Sequence, residues 1–165
     1  MKSKDADGQS LAQSGAGADE RIAQMMHDLR TLGLKLTPQR RAIVEQFACD
    51  RSHPTAQELF DRLHRAFPSM SFATVYNTLD ALTSADLAGT LRLDGHAARF
   101  DPNRMPHHHA VCDSCGLVVD IPAATLTPNV ETAASVREHA EGFDVRAVEQ
   151  VYRGVCGACT QKPRA

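Results

Sequence analysis

A helix followed directly by a β-hairpin is predicted for residues 71–101, SFATVYNTLDALTSADLAGTLRLDGHAARFD. Ser71 is a typical N-cap residue. Apolar residues then recur at helical spacing, and the predicted buried face comprises Phe72, Val75, Leu79 and Leu82. Asp94-Gly95 lies between alternating residues, which is a strong signal for a hairpin turn. The segment therefore ends in two short antiparallel strands.

Three helices are predicted before this segment. The first runs from Glu20 to Leu32 and stops at Gly33. In LTPQRRAIVEQF, Thr37 can cap a helix whose first residue is Pro38. Its buried residues are Ile43, Val44 and Phe47. In HPTAQELFDRLHRAF, Thr55 is the expected cap, and the buried residues are Leu59, Phe60, Leu63 and Phe67. Short helices closed by a hairpin follow the order of a winged helix-turn-helix domain.

The exposed face of the last helix indicates a possible partner. Ala73, Thr74, Tyr76 and Asn77 remain on its outer side. A solvent-facing tyrosine beside an asparagine suits contacts with base edges and thymine methyl groups in a major groove of double-stranded DNA. The alternative is a small helical domain without a nucleic-acid role. The net charge of −2 favours neither.

A second, small α/β unit is predicted after Asp101. AVCDSCGLVVDIP indicates two strands joined through a cysteine-containing turn, residues 123–142 a helix that stops at Gly142, and FDVRAVEQVYRGVC a strand. So small a unit gains buried area by pairing with a second copy. The predicted organisation is α+β: a mobile tail over 1–19, a winged-helix domain over 20–101, a hinge over 102–106 and a dimerisation and metal-binding domain over 107–165.

Composition places the chain in the cytoplasm. No apolar run approaches the roughly 20 residues that a membrane span requires, and the N-terminal residues have no hydrophobic core typical of a secretory signal. Cytoplasmic thiols are kept reduced, so paired cysteines are expected to bind metal or to perform redox chemistry.

Four of the five cysteines form two CxxC pairs, Cys112 with Cys115 and Cys156 with Cys159. Two such pairs can supply four thiolates to one tetrahedral zinc ion in a closed structural site. The alternatives are a thioredoxin-like dithiol and an iron centre of the rubredoxin type. Cys49 stands alone after an apolar helix face and is expected to be a small core residue.

A second metal centre is indicated by the run of histidines in MPHHHAVCDSCG, residues 105–116. On a strand, His107 and His109 share one face and Cys112 lies on the other, so two metals fit the pattern better than one. Nearby candidate ligands are Asp101, Asp120 and His53. Three imidazoles with two carboxylates suit iron(II) or manganese(II). The alternative is a solvated histidine loop beside unrelated aspartates.

An enzymatic function is not favoured. A zinc deaminase needs His-x-Glu followed by Pro-Cys-x-x-Cys, and no proline precedes either CxxC pair. A helix-borne zinc hydrolase needs HExxH, and EHAEG has no second histidine at that spacing.

Together these segments resemble the ferric uptake regulator (Fur) family of metal-dependent repressors from about residue 21 to 160. LTPQRRAIVE, HPTAQELFDRL, FATVYNTLDALTSADL, ARFDP, HHHAVCDSCGLVVDI and YRGVCGACT occur in the family's order and approximate spacing. The resemblance implies a homodimer that binds operator DNA through N-terminal winged-helix domains and pairs through C-terminal domains.

The resemblance also implies site residues. The structural zinc ligands are Cys112, Cys115, Cys156 and Cys159. The regulatory iron or manganese site between the two domains consists of His53, Asp101, His107, His109 and Asp120. The implied DNA contacts are Lys35, Tyr76 and Asn77, although many relatives carry arginine in place of Asn77.

Within the family, Asp101 and Asp120 are similar to the aspartates of the peroxide-sensing PerR branch, whereas iron sensors usually carry glutamates there. This branch implies that bound iron(II) reduces hydrogen peroxide, that His53 and His107 are oxidised, and that the repressor then releases its metal and its DNA. The alternative is an iron- or zinc-responsive repressor without peroxide chemistry.

Overall fold

The computed structural model describes residues 8–93, 97–123, 136, 138–143 and 148–161, and the chain divides into two compact units, Met1–Arg104 and Met105–Ala165. The first unit contains α1 (Gly8–Thr31), α2 (Pro38–Ala48), α3 (Ala56–His64), α4 (Phe72–Ser84), β1 (Gly89–Leu91) and β2 (Arg99–Asp101). The second contains β3 (His107–Cys112), β4 (Val118–Pro122), β5 (Val151–Gly154) and α5 (Gly157–Thr160). The predicted α+β class is confirmed. The predicted hinge over 102–106 stays a prediction.

The three predicted N-caps begin helices in the structure. The side chains of Thr37, Thr55 and Ser71 each accept the backbone N–H three residues ahead. At α3 the Glu58 carboxylate also accepts the N–H of Thr55 at 2.8 Å, which completes a capping box. These bonds satisfy N–H groups that a helix start otherwise leaves without an intrahelical partner.

The core of the first unit forms where the apolar spacing predicts it. Its fully buried side chains include Leu29, Ile43, Val44, Phe47, Leu59, Val75, Leu79 and Leu82. Phe72 was predicted to be buried but is 42% exposed, because it is the first residue of α4 and its ring meets the edge of Phe60 at a centroid distance of 5.9 Å. Phe60 and Phe67 are half-buried.

Two further expectations for the first unit are wrong. Helix α1 begins at Gly8 rather than near Glu20, so residues 8–19 are helical instead of forming a tail. Gly15 and Gly17 weaken the helical signal, but extending an existing helix costs little per residue. Cys49 is exposed because it is the C-cap residue of α2 and follows Ala48, the last buried residue of that helix.

The hairpin is attached to the start of α3. Strands β1 and β2 pair antiparallel, with Thr90 opposite Phe100. On its other edge β2 meets the segment before α3: the N–H of Phe100 donates to the carbonyl of Pro54 at 2.9 Å. This attachment places the residues just before α3 beside the end of β2.

The second unit contains a three-stranded sheet in the order β4-β3-β5. The central strand, β3, pairs antiparallel with β4 and parallel with β5, and His109 is opposite both Asp120 and Val151. The two predicted strands around the cysteine turn are therefore present.

Some predicted features lie outside the described residues. These are the turn at Asp94-Gly95, most of the helix predicted over 123–142, and residues 144–147 of the last predicted strand. Among the helices that are described, none combines the length and the apolar character needed to cross a membrane.

Candidate metal centres

Four cysteine sulfurs converge at the end of the sheet in the second unit. Cys112 ends β3, and Cys115 lies in the following turn. Cys156 is the N-cap residue of α5, and Cys159 lies within that helix. The four sulfur atoms all lie within 4.8 Å of one another. The Cys115 and Cys156 sulfurs are 3.7 Å apart, close to the roughly 3.8 Å edge of a tetrahedron of thiolates about 2.3 Å from a zinc ion. The donor set and spacing fit zinc.

The backbone around this cluster stabilises a thiolate. The N–H of Cys156 donates to the Cys112 sulfur at 3.2 Å and is the main reason that the pKa of Cys112 is lowered to about 6. At Cys115 the N–H of Leu117 acts in the same direction, but the neighbouring thiols, Cys112 first, raise its pKa to about 11. The thiolate form is therefore favoured at Cys112, and deprotonation of Cys115 needs a cation to offset the crowding of negative charge.

A disulfide bond and a thioredoxin-like dithiol both fit the cluster less well than a zinc ion does. All five cysteines are free, and the 3.7 Å between the Cys115 and Cys156 sulfurs far exceeds the roughly 2.05 Å of a disulfide bond. A thioredoxin-like site needs one CxxC pair, whereas here both pairs face each other.

In the first unit, His53 and Asp101 form a buried pair. The Nε2 atom of His53 lies 3.7 Å from the Asp101 carboxylate, and the two side chains are 2% and 6% exposed. The hydrogen bond between Phe100 and Pro54 explains this proximity, since His53 precedes Pro54 and Asp101 follows Phe100 in the chain. An imidazole beside a carboxylate away from bulk water suits a divalent cation.

The backbone at His53 is held from two sides. Arg99 donates to the His53 carbonyl at 2.9 Å and pairs with Glu58 at 3.1 Å. On the other side, Arg62 and the N–H of Ser52 both bond to the buried carboxylate of Asp50. His53 itself has a φ of +51°, a left-handed conformation that is unusual for a residue with a Cβ.

In the second unit, three polar side chains meet on one face of the sheet. The Nε2 atoms of His107 and His109 are 3.0 Å apart, and Nε2 of His107 is 3.8 Å from the Asp120 carboxylate. Strand alternation places both histidines on the same face, and the pairing of β3 with β4 brings Asp120 opposite His109.

Contacts at the outer nitrogens define which atoms face inward. The Nδ1 of His107 lies 2.7 Å from the Met105 carbonyl oxygen, which can only accept, so this nitrogen carries the proton. The Nδ1 of His109 lies 3.0 Å from the carboxylate of Glu149. With the His107 proton on Nδ1, the Nε2 lone pair of His107 faces Nε2 of His109. Two ring nitrogens this close together beside a carboxylate suit a divalent cation, so the group fits a metal ion.

The remaining residues singled out in the sequence take other positions. His108 faces away from its two neighbours: it is buried, and its Nδ1 accepts the N–H of Gln150 at 3.2 Å. In the first unit, Lys35, Tyr76 and Asn77 are exposed, with Tyr76 49% accessible on α4. Sequence reasoning did not find Glu149, Arg99 or Asp50, because none lies in a recognisable ligand motif.

Comparisons with known proteins identify the family of this chain. Residues 31–152 match the ferric uptake regulator family. The peroxide operon regulator of Bacillus subtilis is 33% identical over 145 residues, covering 88% of this chain and 97% of that protein. The peroxide-responsive repressor PerR of Staphylococcus epidermidis is 32% identical over 144 residues, covering 87% and 93%.

A solved structure shows the same fold. The ferric uptake regulator of Pseudomonas aeruginosa with manganese superimposes with a TM-score of 0.60 at 27% identity, covering 81% of this chain and 98% of that one. The family match and the two relatives span most of the described residues in both units. The chain therefore belongs to the ferric uptake regulator family of metal-dependent transcription regulators, which bind DNA as dimers.

Proposed function

We propose that this protein is a DNA-binding transcriptional repressor that senses hydrogen peroxide through oxidation of histidines at its regulatory metal site. The observation that carries the proposal is the close group of His107, His109 and Asp120. The Nε2 atoms of the two histidines lie 3.0 Å apart, and the Asp120 carboxylate lies 3.8 Å from that of His107. Two relatives with names that refer to peroxide, at 32% and 33% identity, support the peroxide response.

The regulatory site combines ligands from both units. In this proposal one iron(II) or manganese(II) ion is bound by His53, Asp101, His107, His109 and Asp120. Nitrogen and carboxylate ligands suit these ions, and two carboxylates balance a divalent charge. Because the ligands belong to two compact units, binding selects one relative orientation of the DNA-binding and dimerisation units.

The cysteine cluster has a structural role. Cys112, Cys115, Cys156 and Cys159 hold zinc and stabilise the second unit. A regulator of this kind acts in the cytoplasm, where thiols are kept reduced and available to the metal.

DNA recognition is assigned to the first unit of each protomer. Tyr76 and Asn77 on α4 read base edges, and Lys35 contacts the backbone near the minor groove. In a dimer two such helices match a palindromic operator whose half-sites are spaced by the protein's twofold symmetry. Loss of the regulatory metal releases the orientation that fits the operator.

The peroxide response depends on where the ligand rings lie. A bound iron(II) ion would supply the redox chemistry that activates hydrogen peroxide beside the ligand rings. The rings of His53 and His107 each accept one oxygen atom from a molecule of hydrogen peroxide, whose other oxygen leaves as water. An oxidised imidazole is a poor ligand, so the metal is lost. Manganese(II) supports DNA binding without this chemistry.

Mass spectrometry of proteolytic peptides tests the proposal. The protein is loaded with iron(II) without oxygen, exposed briefly to hydrogen peroxide and compared with a manganese(II)-loaded sample. We expect a gain of one oxygen on the peptides containing His53 or His107 in the iron sample alone. If neither sample gains oxygen while both metals support DNA binding, the protein is instead an iron- or zinc-responsive repressor without peroxide chemistry.

A further inference from the structure

We propose that Asp50 is a positioning residue of the regulatory metal site, which holds the backbone of His53 in its left-handed conformation. In this conformation the imidazole lies beside Asp101, the other proposed ligand of the first unit. The inference rests on the proposed function for the role of His53 as a metal ligand. It assigns a role to a residue that lies outside the ligand motifs of the sequence.

The conformation of His53 is not one that its neighbours in the sequence favour. Its φ of +51° lies in the left-handed region, which a residue with a Cβ rarely adopts. A residue that precedes a proline, as His53 precedes Pro54, normally has an extended backbone with a negative φ. Contacts with the rest of the first unit must therefore impose the conformation.

The carboxylate of Asp50 accepts three hydrogen bonds around this turn. Its Oδ1 atom accepts the N–H of Ser52 at 2.8 Å and the Ser52 hydroxyl at 2.6 Å. Its Oδ2 atom accepts from the guanidinium of Arg62 at 2.6 Å, and the Asp50 side chain is only 6% exposed. One buried carboxylate thus fixes the residue immediately before His53 to helix α3, which carries Arg62.

The backbone is also fixed at both ends of the turn. The N–H of Asp50 donates to the carbonyl of Phe47, near the end of α2, at 2.9 Å. On the other side, Arg99 of β2 donates to the carbonyl of His53 at 2.9 Å. The backbone of His53 therefore links two points that are held by neighbouring elements. Asp50 is the better residue to test, because Arg99 lies two residues from the ligand Asp101 on the same strand.

A general contribution to folding stability is the competing explanation. A buried ion pair often adds little net stability compared with apolar side chains of similar volume, because both charges lose their hydration. The two explanations differ in their effect at residue 53. Removal of a merely stabilising pair destabilises every variant at that position equally, whereas removal of a positioning pair also changes which residue is preferred there.

The first test measures the preference for glycine over alanine at residue 53 without regulatory metal. His53→Gly and His53→Ala are each made alone and combined with Asp50→Ala, Asp50→Asn or Asp61→Ala. Asp61 is an exposed aspartate of α3 and precedes Arg62, so Asp61→Ala is the matched control. The readout is the midpoint of urea unfolding, followed by the circular dichroism of the helices.

With Asp50 intact, the glycine variant should have the higher midpoint, because glycine adopts a positive φ without strain. Asp50→Ala should remove this difference, since the released turn can take a negative φ. Asp50→Asn retains an acceptor oxygen for the N–H of Ser52 and should keep part of the difference. Asp61→Ala should keep all of it.

The second test measures the affinity for manganese(II) with His53 present. If Asp50→Ala leaves the turn in its metal-binding conformation in about one molecule in ten, the affinity falls about tenfold. Asp61→Ala should match the unaltered protein. Zinc content and circular dichroism confirm that each variant is folded.

A preference for glycine that survives Asp50→Ala in full would overturn the inference. So would a manganese(II) affinity that His53→Ala lowers but Asp50→Ala leaves unchanged. A failure of the proposed function leaves a different trace: if His53 is not a ligand, His53→Ala binds manganese(II) as tightly as the unaltered protein. The preference at residue 53 is measured without the metal and still shows whether Asp50 holds the turn.

Discussion

The left-handed backbone of His53 has a measurable energetic cost. A residue with a Cβ at a φ of +51° is strained by about 1–2 kcal/mol relative to glycine. The bonds from Arg99 and from the Asp50 carboxylate to the adjacent chain maintain this conformation. The first unit therefore retains a conformation that an isolated loop would avoid.

We expect the His53→Gly variant to be more stable than His53→Ala by about 1–2 kcal/mol, because both variants remove the ring but only glycine tolerates the backbone. Urea denaturation without regulatory metal measures the difference. The control pair, Gln57→Gly and Gln57→Ala, lies within α3 and should show the opposite order by about 1 kcal/mol. The same order at both positions would contradict the account of strain.

Asn77 and Lys35 should differ in how they affect DNA binding. Asn77→Ala should reduce discrimination between an operator, selected from random duplexes, and a scrambled duplex by about 1–3 kcal/mol. Lys35→Ala should weaken both complexes alike and lower the slope of log affinity against log salt by about 1. Fluorescence anisotropy over a range of salt concentrations measures both effects. Loss of discrimination in Lys35→Ala alone would reverse the two assignments.

Some site residues could be predicted from the sequence and others could not. Strand alternation alone places His107 and His109 on one face, because it depends only on local parity. Glu149 reaches His109 through the parallel pairing of β3 with β5, across about forty residues of chain. That register depends on tertiary structure, so no local pattern indicates the contact.

At the scale of elements, helix starts were predictable because a cap is a local hydrogen bond. Thr37, Thr55 and Ser71 each cap a helix as predicted. The N-terminal end of α1, at Gly8, was not predictable. No single capping residue marks it, because extension of a helix through weak helix formers depends on the rest of the helix. The exposure of Phe72 was missed because periodicity indicates a face of the helix, whereas Phe72 is the first residue of α4.

Leu79→Ala and Phe72→Ala should differ in their effect on stability, although both residues lie on α4. Leu79 is fully buried, and its truncation should cost about 2–5 kcal/mol. Phe72 is 42% exposed, and its truncation should cost about 1 kcal/mol. Chemical denaturation followed by circular dichroism measures both values. Equal costs would mean that Phe72 is part of the core.

The two units of the whole molecule differ in how they are stabilised. The first has an extended hydrophobic core that spans all four of its helices. In the described part of the second unit, the buried hydrophobic residues are Val111, Cys112 and Val118. A unit with so small a core depends on further constraints, and the four thiolates supply one.

Removal of zinc by a strong chelator should therefore loosen the second unit while the first remains folded. We expect amide hydrogens of β3, β4 and β5 to exchange much faster after chelation and those of α2 and α4 to be unaffected. Hydrogen–deuterium exchange measures both in one sample, and Cys156→Ser should reproduce the pattern. Protection of β3 that survives complete loss of zinc would show that the sheet is stable without it.

One strand carries proposed ligands of both metal centres. His107 and His109 lie on one face of β3, and Cys112 ends the same strand three residues later. A shift of this strand by one residue would exchange its faces and remove ligands from both sites at once. The two ions are therefore thermodynamically linked: if zinc strengthens binding of the second metal by some factor, the second metal must strengthen zinc binding by that same factor. Oxidation that expels the regulatory metal would then also make the repressor easier to strip of zinc, so a peroxide signal could become permanent in a cell that is short of zinc.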